Sequence, residues 1–213
     1  MARPLSLDDL IARARSLAEA GPRQLLGIAG PPGAGKSTLA ERIVAEVGPA
    51  ARLVGMDGFH LAQAELVRQG RADRKGAADT FDANGYVSLL RRLHRLEPSA
   101  VYAPQFRRDL EEPVAGAIQV PPSVRLVVTE GNYLLLADPP WDDVRPLLHE
   151  AWFLDLDAEL RLRRLVARHQ AYGRSPADAA AWAHGSDEAN ASLVAGTADR
   201  ADLVVRLTDP LPG

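Results

Sequence analysis

The sequence predicts an α/β fold, a three-layer α/β/α sandwich around a mainly parallel sheet, and three observations carry that prediction. Short apolar, often β-branched runs recur along the chain. Helix-period patterns lie between them, and strands alternating with helices imply a parallel sheet covered on both faces. One of those runs opens through a glycine-rich loop directly into a helix, as a strand–loop–helix phosphate site does. The length of 213 residues fits one domain of ordinary size.

Taken in order, residues 1–22 carry apolar positions at Leu7, Leu10, Ile11, Ala14 and Leu17, which is helical spacing. Ser6 can cap this helix, with Asp9 three residues on as a capping-box partner. Gln24–Ala29 reads as a short buried strand, and Lys36 to Val47 as a helix closed by Gly48-Pro49. A second strand, Arg52–Met56, ends at Asp57-Gly58-Phe59-His60. Val87 to Leu96 has helical spacing. Segment 97–122 is too rich in proline to be helical, with Pro98, Pro104, Pro113, Pro121 and Pro122, and reads as an insertion or a hairpin at the edge of the sheet. Val124–Gly131 is nearly continuous and β-branched, as a central parallel strand should be. Ala151–Leu156 and Leu203–Leu207 are further strands, with helices at Ala158 to Tyr172 and Pro176 to Ala195. The segment 158–195 supplies a helical lid, and its second helix starts with Ser175-Pro176, a cap followed by proline at the first helical position. No repeat and no long linker divides the chain, so 1–213 is expected to be a single domain.

Composition narrows the classes of function. Hydrophobic residues make up 46 % and charged residues 25 %, close to a globular average, and the net charge of −3 gives no sign of a nucleic-acid or membrane partner. The absence of cysteine excludes disulfides, thiolate zinc sites and a cysteine nucleophile. No apolar run approaches the roughly 18 residues that span a bilayer. Met1-Ala2-Arg3-Pro4 leads into a charged amphipathic helix instead of a signal peptide's apolar core, so a cytoplasmic location is expected. A homodimer is left open.

Gly30-Pro31-Pro32-Gly33-Ala34-Gly35-Lys36-Ser37, followed by Thr38, spells G-x-x-x-x-G-K-[ST]. Its glycines let successive backbone N–H groups point at phosphate oxygens, at the positive end of the following helix. Lys36 then reaches the β- and γ-phosphates and the Ser37 hydroxyl ligates Mg²⁺. The chain is therefore expected to bind ATP or GTP, with ATP the default for this layout. In an open α/β sheet ligands sit beyond the carboxyl ends of the strands, which singles out two more residues. Asp57, after the second strand, is the candidate base that takes the acceptor's proton; the alternative is a turn cap before Gly58. Glu130, after the Val127-Val128-Thr129 run, is the candidate that steadies Mg²⁺; the alternative is a strand-end cap.

Arg161, Arg164 and Arg168 are spaced by three and four and share one helix face, with Leu162, Leu165 and Val166 on another. Guanidinium groups suit phosphate oxygens, so this face is a candidate lid over the nucleotide, with Arg164 and Arg168 favoured over a merely solvated basic face. Candidates for the acceptor side lie in the two irregular segments between the second strand and the Glu130 strand: Phe59, His60, Asp79, Phe81, Asp82, Tyr102, Phe106, Arg107 and Arg108. His60 is a candidate second acid/base group, though a lone histidine more often packs. The basic stretch Arg68 to Lys75 could attract an anion but is more often a solvated loop, and Trp141 and Trp182 read as packing residues.

In this order the motifs resemble the P-loop small-molecule kinases that include uridine kinase, phosphoribulokinase and bacterial pantothenate kinase. The residues that carry the likeness are Gly30 to Ser37, Met56–His60, Thr80-Phe81-Asp82, Tyr102–Arg108, Thr129–Tyr133 and the Arg161–Arg168 helix. It spans about Gln24 to Leu207 and is nearest the bacterial nucleoside/nucleotide kinase-like or fructokinase-like branch. The resemblance implies a P-loop NTPase fold and transfer of the γ-phosphate of ATP to a hydroxyl of a small metabolite. It implies Asp57 as general base, Lys36, Ser37 and Glu130 around MgATP, and arginines of the 161–168 helix over the phosphates. It also implies Phe81-Asp82 and Tyr102 to Arg108 on the acceptor side. The chain departs from uridine kinases at Gly58, which stands where they carry a second acidic or hydroxyl residue. Segment Trp182–Asn190 matches neither uridine nor pantothenate kinases, so the acceptor does not transfer with the fold. A nucleoside-monophosphate kinase, with Arg107, Arg108 and residues 68–75 on the acceptor's phosphate, and a regulatory ATPase are the alternatives.

Overall fold

A computed structural model describes residues 2–173 and 175–208; of the segments read above, Met1, Arg174 and the residues after Thr208 lie outside it. Six strands form one wholly parallel sheet: β1 (Arg3–Leu5), β2 (Gln24–Ala29), β3 (Ala51–Leu53), β6 (Leu126–Gly131), β7 (Glu150–Leu154) and β8 (Leu203–Leu207). Their spatial order is β1-β8-β7-β2-β6-β3, which puts β2 near the middle with β7 on one side and β6 on the other. β4 (Val101–Arg107) and β5 (Glu112–Val120) form a separate antiparallel pair. The helices are α1 (Leu7–Glu19), α2 (Lys36–Val47), α3 (Gln63–Arg68), α4 (Ala83–His94), α5 (Ala158–Ala171), α6 (Pro176–His184) and α7 (Ser186–Ala195).

Alternation along the buried strands divides the core between the two sheet faces. Leu26 and Ile28 of β2, with Leu126, Val128, Trp152 and Leu154, pack against Leu10 and Ile11 of α1 and Leu39 and Ile43 of α2. Leu25 and Ala29, with Val127 and Phe153, face Tyr86, Leu90 and Leu93 of α4 and Trp141. The ends of the helices follow their sequence signals. Ser6 Oγ accepts from Asp9 N at 3.1 Å while Asp9 accepts from Ser6 N at 3.0 Å, a complete capping box. Asp157 caps α5 and Ser175 caps α6 ahead of Pro176.

Several boundaries differ from the sequence reading, each for a local reason. β1 escaped notice because it is a three-residue edge strand containing Pro4, held by pairing with β8. The expected Arg52–Met56 strand stops at Leu53, and Met56–Phe59 tightens into a 3₁₀ turn. α4 begins four residues earlier than its apolar pattern suggested, since Asp82 caps it by accepting from Gly85 N at 2.8 Å. The helix expected over Pro176 to Ala195 is two helices broken at Gly185. Segment 97–122 does contain a hairpin, but it pairs with no strand of the main sheet and packs instead on the turn that carries Asp57.

Candidate active site

The carboxyl ends of β2, β6 and β3 lie side by side, so the three residues singled out at strand ends meet in one cleft. Ile28 pairs with Glu130 and Ala29 with Gly131 in register, and Leu53 pairs with Val128. Thr129 fixes the third strand end: its hydroxyl donates to the Val54 carbonyl at 2.6 Å. With that proton committed, the Tyr86 hydroxyl is the donor in its 2.6 Å bond to Thr129 Oγ1.

The loop Gly30–Ser37 wraps the start of α2, a helix with no acidic residue in its first turn to occupy the anion site. Gly33 has φ +80°, and a Cβ there would stand 2.8 Å from Leu165 Cγ, so only glycine lets the lid helix α5 rest directly on the loop. Lys36 is 8 % exposed, and its Nζ donates to the Pro31 carbonyl at 3.0 Å and Asn132 Oδ1 at 2.7 Å. Ser37 Oγ donates to Glu130 Oε1 at 3.1 Å. Burial pushes the Glu130 carboxyl upward, reinforced by the charge of Asp57, while Lys36 and Ser37 pull it back. Burial likewise draws the Lys36 ammonium down, against the pull of Glu130 and Asp57. A hydroxyl beside a buried carboxylate is an oxygen donor set that suits Mg²⁺. Among the described residues no cluster of three or more His, Asp or Glu forms a metal cage. That fits an ion completing its shell with water and phosphate oxygens.

Asp57 occupies the 3₁₀ turn after β3, with a half-exposed carboxylate 3.9 Å from Arg108 Nη2. Gly58 allows this turn to lie against the Pro104 carbonyl of the hairpin more closely than any side chain would permit. This is the physical reason for glycine next to the candidate base. The His60 ring places Nδ1 at 2.8 Å from the Asp57 carbonyl. A carbonyl only accepts, so Nδ1 carries the proton and Nε2 keeps a lone pair. The ring is held between Phe81 and Phe106, at centroid distances of 4.1 and 4.8 Å, and burial lowers its pKa. His60 is thus a neutral brace for the Asp57 turn.

The three lid arginines do not act alike. Arg164 and Arg168 line a cavity of about 420 Å³ over Gly33, Gly35, Lys36, Ser37 and Thr38. Arg161 does not line it: it is 3 % exposed, paired with Glu188 of α7, and packed against Gly33. Leu165 is buried against the loop, whereas Leu162 and Val166 face a groove toward α6.

A second cavity of about 220 Å³ opens beyond Asp57 and Lys36, with His60, Phe81, Phe106 and Arg108 on its walls. Five expected acceptor residues are absent from it; one, Asp79, is paired with Arg74 at the surface. Phe59 packs edge-on against Tyr86 in the core, at 5.2 Å between centroids. Asp82 is the cap of α4. Tyr102 is exposed and its hydroxyl accepts from Gln119. Arg107 points outward into an ion pair with Asp109 at 2.7 Å. The register shift between Ala103 and Gln105 explains the last pair: it flips the alternation along β4, so both lie on the solvent side, while Arg108, past the strand end, turns inward. Trp141 is a packing residue, inside a cluster with Phe81, Tyr86 and Tyr133. Trp182 is not only that, since it lines the cavity. Asn132, His169 and Asp187 line it too and went unnoticed as site residues, although Asn132 stands two positions beyond Glu130, and Lys75 lines it from the basic stretch that was weighed mainly as a solvated loop.

Comparison with known proteins agrees with this arrangement. The pattern of the phosphoribulokinase / uridine kinase family matches residues 25–209. A protein of Schizosaccharomyces pombe with the provisional name of a uridine kinase is 36 % identical over 180 residues, covering 79 % of this chain and 75 % of its own. Protein YggC of Escherichia coli K12, whose name assigns no activity, is 31 % identical over 192 residues, with 88 % and 79 % covered. A crystal structure from Silicibacter sp. TM1040, provisionally named a fructose transport system kinase, superposes with a TM-score of 0.83 at 34 % identity, covering 94 % of this chain and 98 % of that one.

Proposed function

The chain belongs to the phosphoribulokinase / uridine kinase family and is an ATP-dependent small-molecule kinase, and from that premise we propose a division of labour in which Asp57 is its general base. The reaction is transfer of the γ-phosphoryl group to a hydroxyl of a small metabolite. The observation that supports this reading best is the meeting of Lys36, Glu130 and Asp57 at three adjacent strand ends, with a cavity on the far side of Asp57.

The acceptor hydroxyl enters the 220 Å³ cavity and gives its proton to Asp57. Its oxygen forms a bond to the γ-phosphorus, and the bond from that phosphorus to the β–γ bridging oxygen breaks, leaving ADP. Lys36 exchanges its present partners, the Pro31 carbonyl and Asn132, for phosphate oxygens. Arg164 and Arg168 spread the charge that develops on the transferring group. Ser37 and Glu130 would hold Mg²⁺, which when bound neutralises the β- and γ-oxygens. Arg161 tethers α5 to α7, and His60 fixes the turn that carries the base.

The nucleoside-monophosphate alternative loses support from the geometry, because three of the arginines it needs are engaged elsewhere. Arg107 is on Asp109, Arg68 on Glu65 and Arg74 on Asp79. No described helix is long and apolar enough to cross a membrane. We further propose that one domain contains the whole site. The test is ATP consumption by purified protein with Mg²⁺ against nucleosides, pantothenate, sugars, sugar phosphates and nucleoside monophosphates. Stimulation by a hydroxyl acceptor is expected; stimulation only by a monophosphate would favour the alternative.

A further inference from the structure

The acceptor cavity has a size and a charge that narrow what it takes, provided the kinase reading above holds. A dry protein cavity of about 150 Å³ accommodates benzene. At 220 Å³ this one has room for roughly nine non-hydrogen atoms, whereas a nucleoside carries about twice as many. Part of the space also borders Lys36 and Ser37, where the transferred phosphoryl group has to fit. The acceptor is therefore short.

The charges on the wall sort by whether they are already used. Of the anions, Asp57 is the base, Glu130 bonds Ser37, and Asp187 is 2.7 Å from His169 Nε2. Glu111 is exposed at the rim. Of the cations, Lys36 and Arg168 belong to the phosphate side, and Arg108 borders both cavities. Two remain. Lys75 Nζ donates to the Glu111 carbonyl at 2.7 Å and stands 5.6 Å from the Phe106 ring, with no carboxylate partner among the described residues. The nearest carboxylate to Arg108 is Asp57, at 3.9 Å, beyond hydrogen-bonding range, and its guanidinium lies over Tyr172. Their neighbours in sequence are neutralised: Arg74 sits on Asp79 and Arg107 on Asp109. Both free cations act on His60 along with Asp57, so the three charges surround one ring. Asp57, at 3.9 Å from Arg108, is the one carboxylate within ion-pair reach of either cation among the described residues, and a further anionic group between the two relieves the repulsion that is left. The faces of His60, Phe81 and Phe106 give a short carbon chain an apolar wall.

We infer that the acceptor is a hydroxy acid of about three to five carbons, its carboxylate held between Lys75 and Arg108 and its hydroxyl presented to Asp57. The carboxylate orients the chain.

The experiment measures initial rates of the wild-type protein with four sets of acceptors: short hydroxy acids, uncharged polyols of the same length, phosphorylated polyols and nucleosides. The same sets are run on Lys75→Gln, with ATP affinity followed by direct binding. The expected result is a kcat/KM for one hydroxy acid at least about a hundred-fold above its matched polyol. Lys75→Gln should raise KM for that acid about ten-fold or more while kcat and ATP affinity stay within a few-fold. Preference for a nucleoside, a neutral polyol or a phosphorylated polyol would overturn the inference and leave the kinase reading standing. ATP hydrolysis that no acceptor in any set stimulates would overturn the phosphotransfer reading itself.

Discussion

The nucleotide half and the acceptor half of this cleft share Lys36, Ser37, Arg108 and Arg168, yet they are built on different principles. The nucleotide half is one continuous segment, Gly30–Ser37, clamped between a buried strand and a buried helix, with Glu130 supplied by the adjoining strand. The acceptor half is assembled from separated pieces: the Asp57 turn, the loop around Lys75, the tip of a detached hairpin, and three lid helices. Rigid secondary structure places a chemistry that does not vary, and loops and a lid place the part that must be specific. Variants should therefore divide into those that stop turnover whatever the acceptor and those that alter only selection.

The largest expected effect belongs to the nucleotide half. Lys36→Ala should abolish phosphoryl transfer with every acceptor, and near-normal turnover would remove the phosphate loop from the mechanism. Glu130→Gln comes next. It keeps the shape but removes the charge that opposes Asp57 and pairs with Lys36, so half-maximal activity should need about ten-fold more Mg²⁺ or greater. An unchanged Mg²⁺ requirement would move the metal elsewhere.

The lid arginines sharpen the comparison further, because they share a helix and divide its duties. Arg164→Ala should raise KM for ATP about ten-fold with little change in melting temperature, since its side chain faces the phosphate cavity. Arg161→Ala should instead cost about 1–2 kcal/mol of stability, read as a lower Tm, by leaving Glu188 unpaired at a partly wet position. Equal effects of the two on both quantities would mean that the lid does not divide in this way. Tyr102→Ala should be nearly silent in acceptor KM, because the ring lies on the outer face of β4. A change above about three-fold there would mean that the hairpin inverts during catalysis.

What the sequence made readable follows the same division. The phosphate loop, Glu130 and Asp57 could be placed because each follows a buried apolar run whose end is visible, and because α/β sheets collect ligands at such ends. The parallel sheet was readable for the same reason. The acceptor wall was not, since its members come from segments without periodic signal. Lys75 sits in a loop where every neighbouring cation is paired, and no local pattern separates it from Arg74. Tyr102 and Arg107 were misplaced because reading which side of a short hairpin faces inward needs its partner strand, and the β4–β5 register shifts between Ala103 and Gln105. Trp182 was hidden because α6 meets the cavity only through the packing of the lid helices, which no local pattern in its sequence records.

The central claim is that Asp57 acts on the acceptor proton and not on the nucleotide, and Asp57→Asn tests it most directly. The substitution is close in size, and ATP affinity and kcat can be measured on the same preparation. The account predicts ATP affinity within a few-fold of the wild type and kcat lower by a factor on the order of 10² or more. An ATP affinity weakened as much as kcat would make Asp57 a metal or structural residue, and would contradict the assignment.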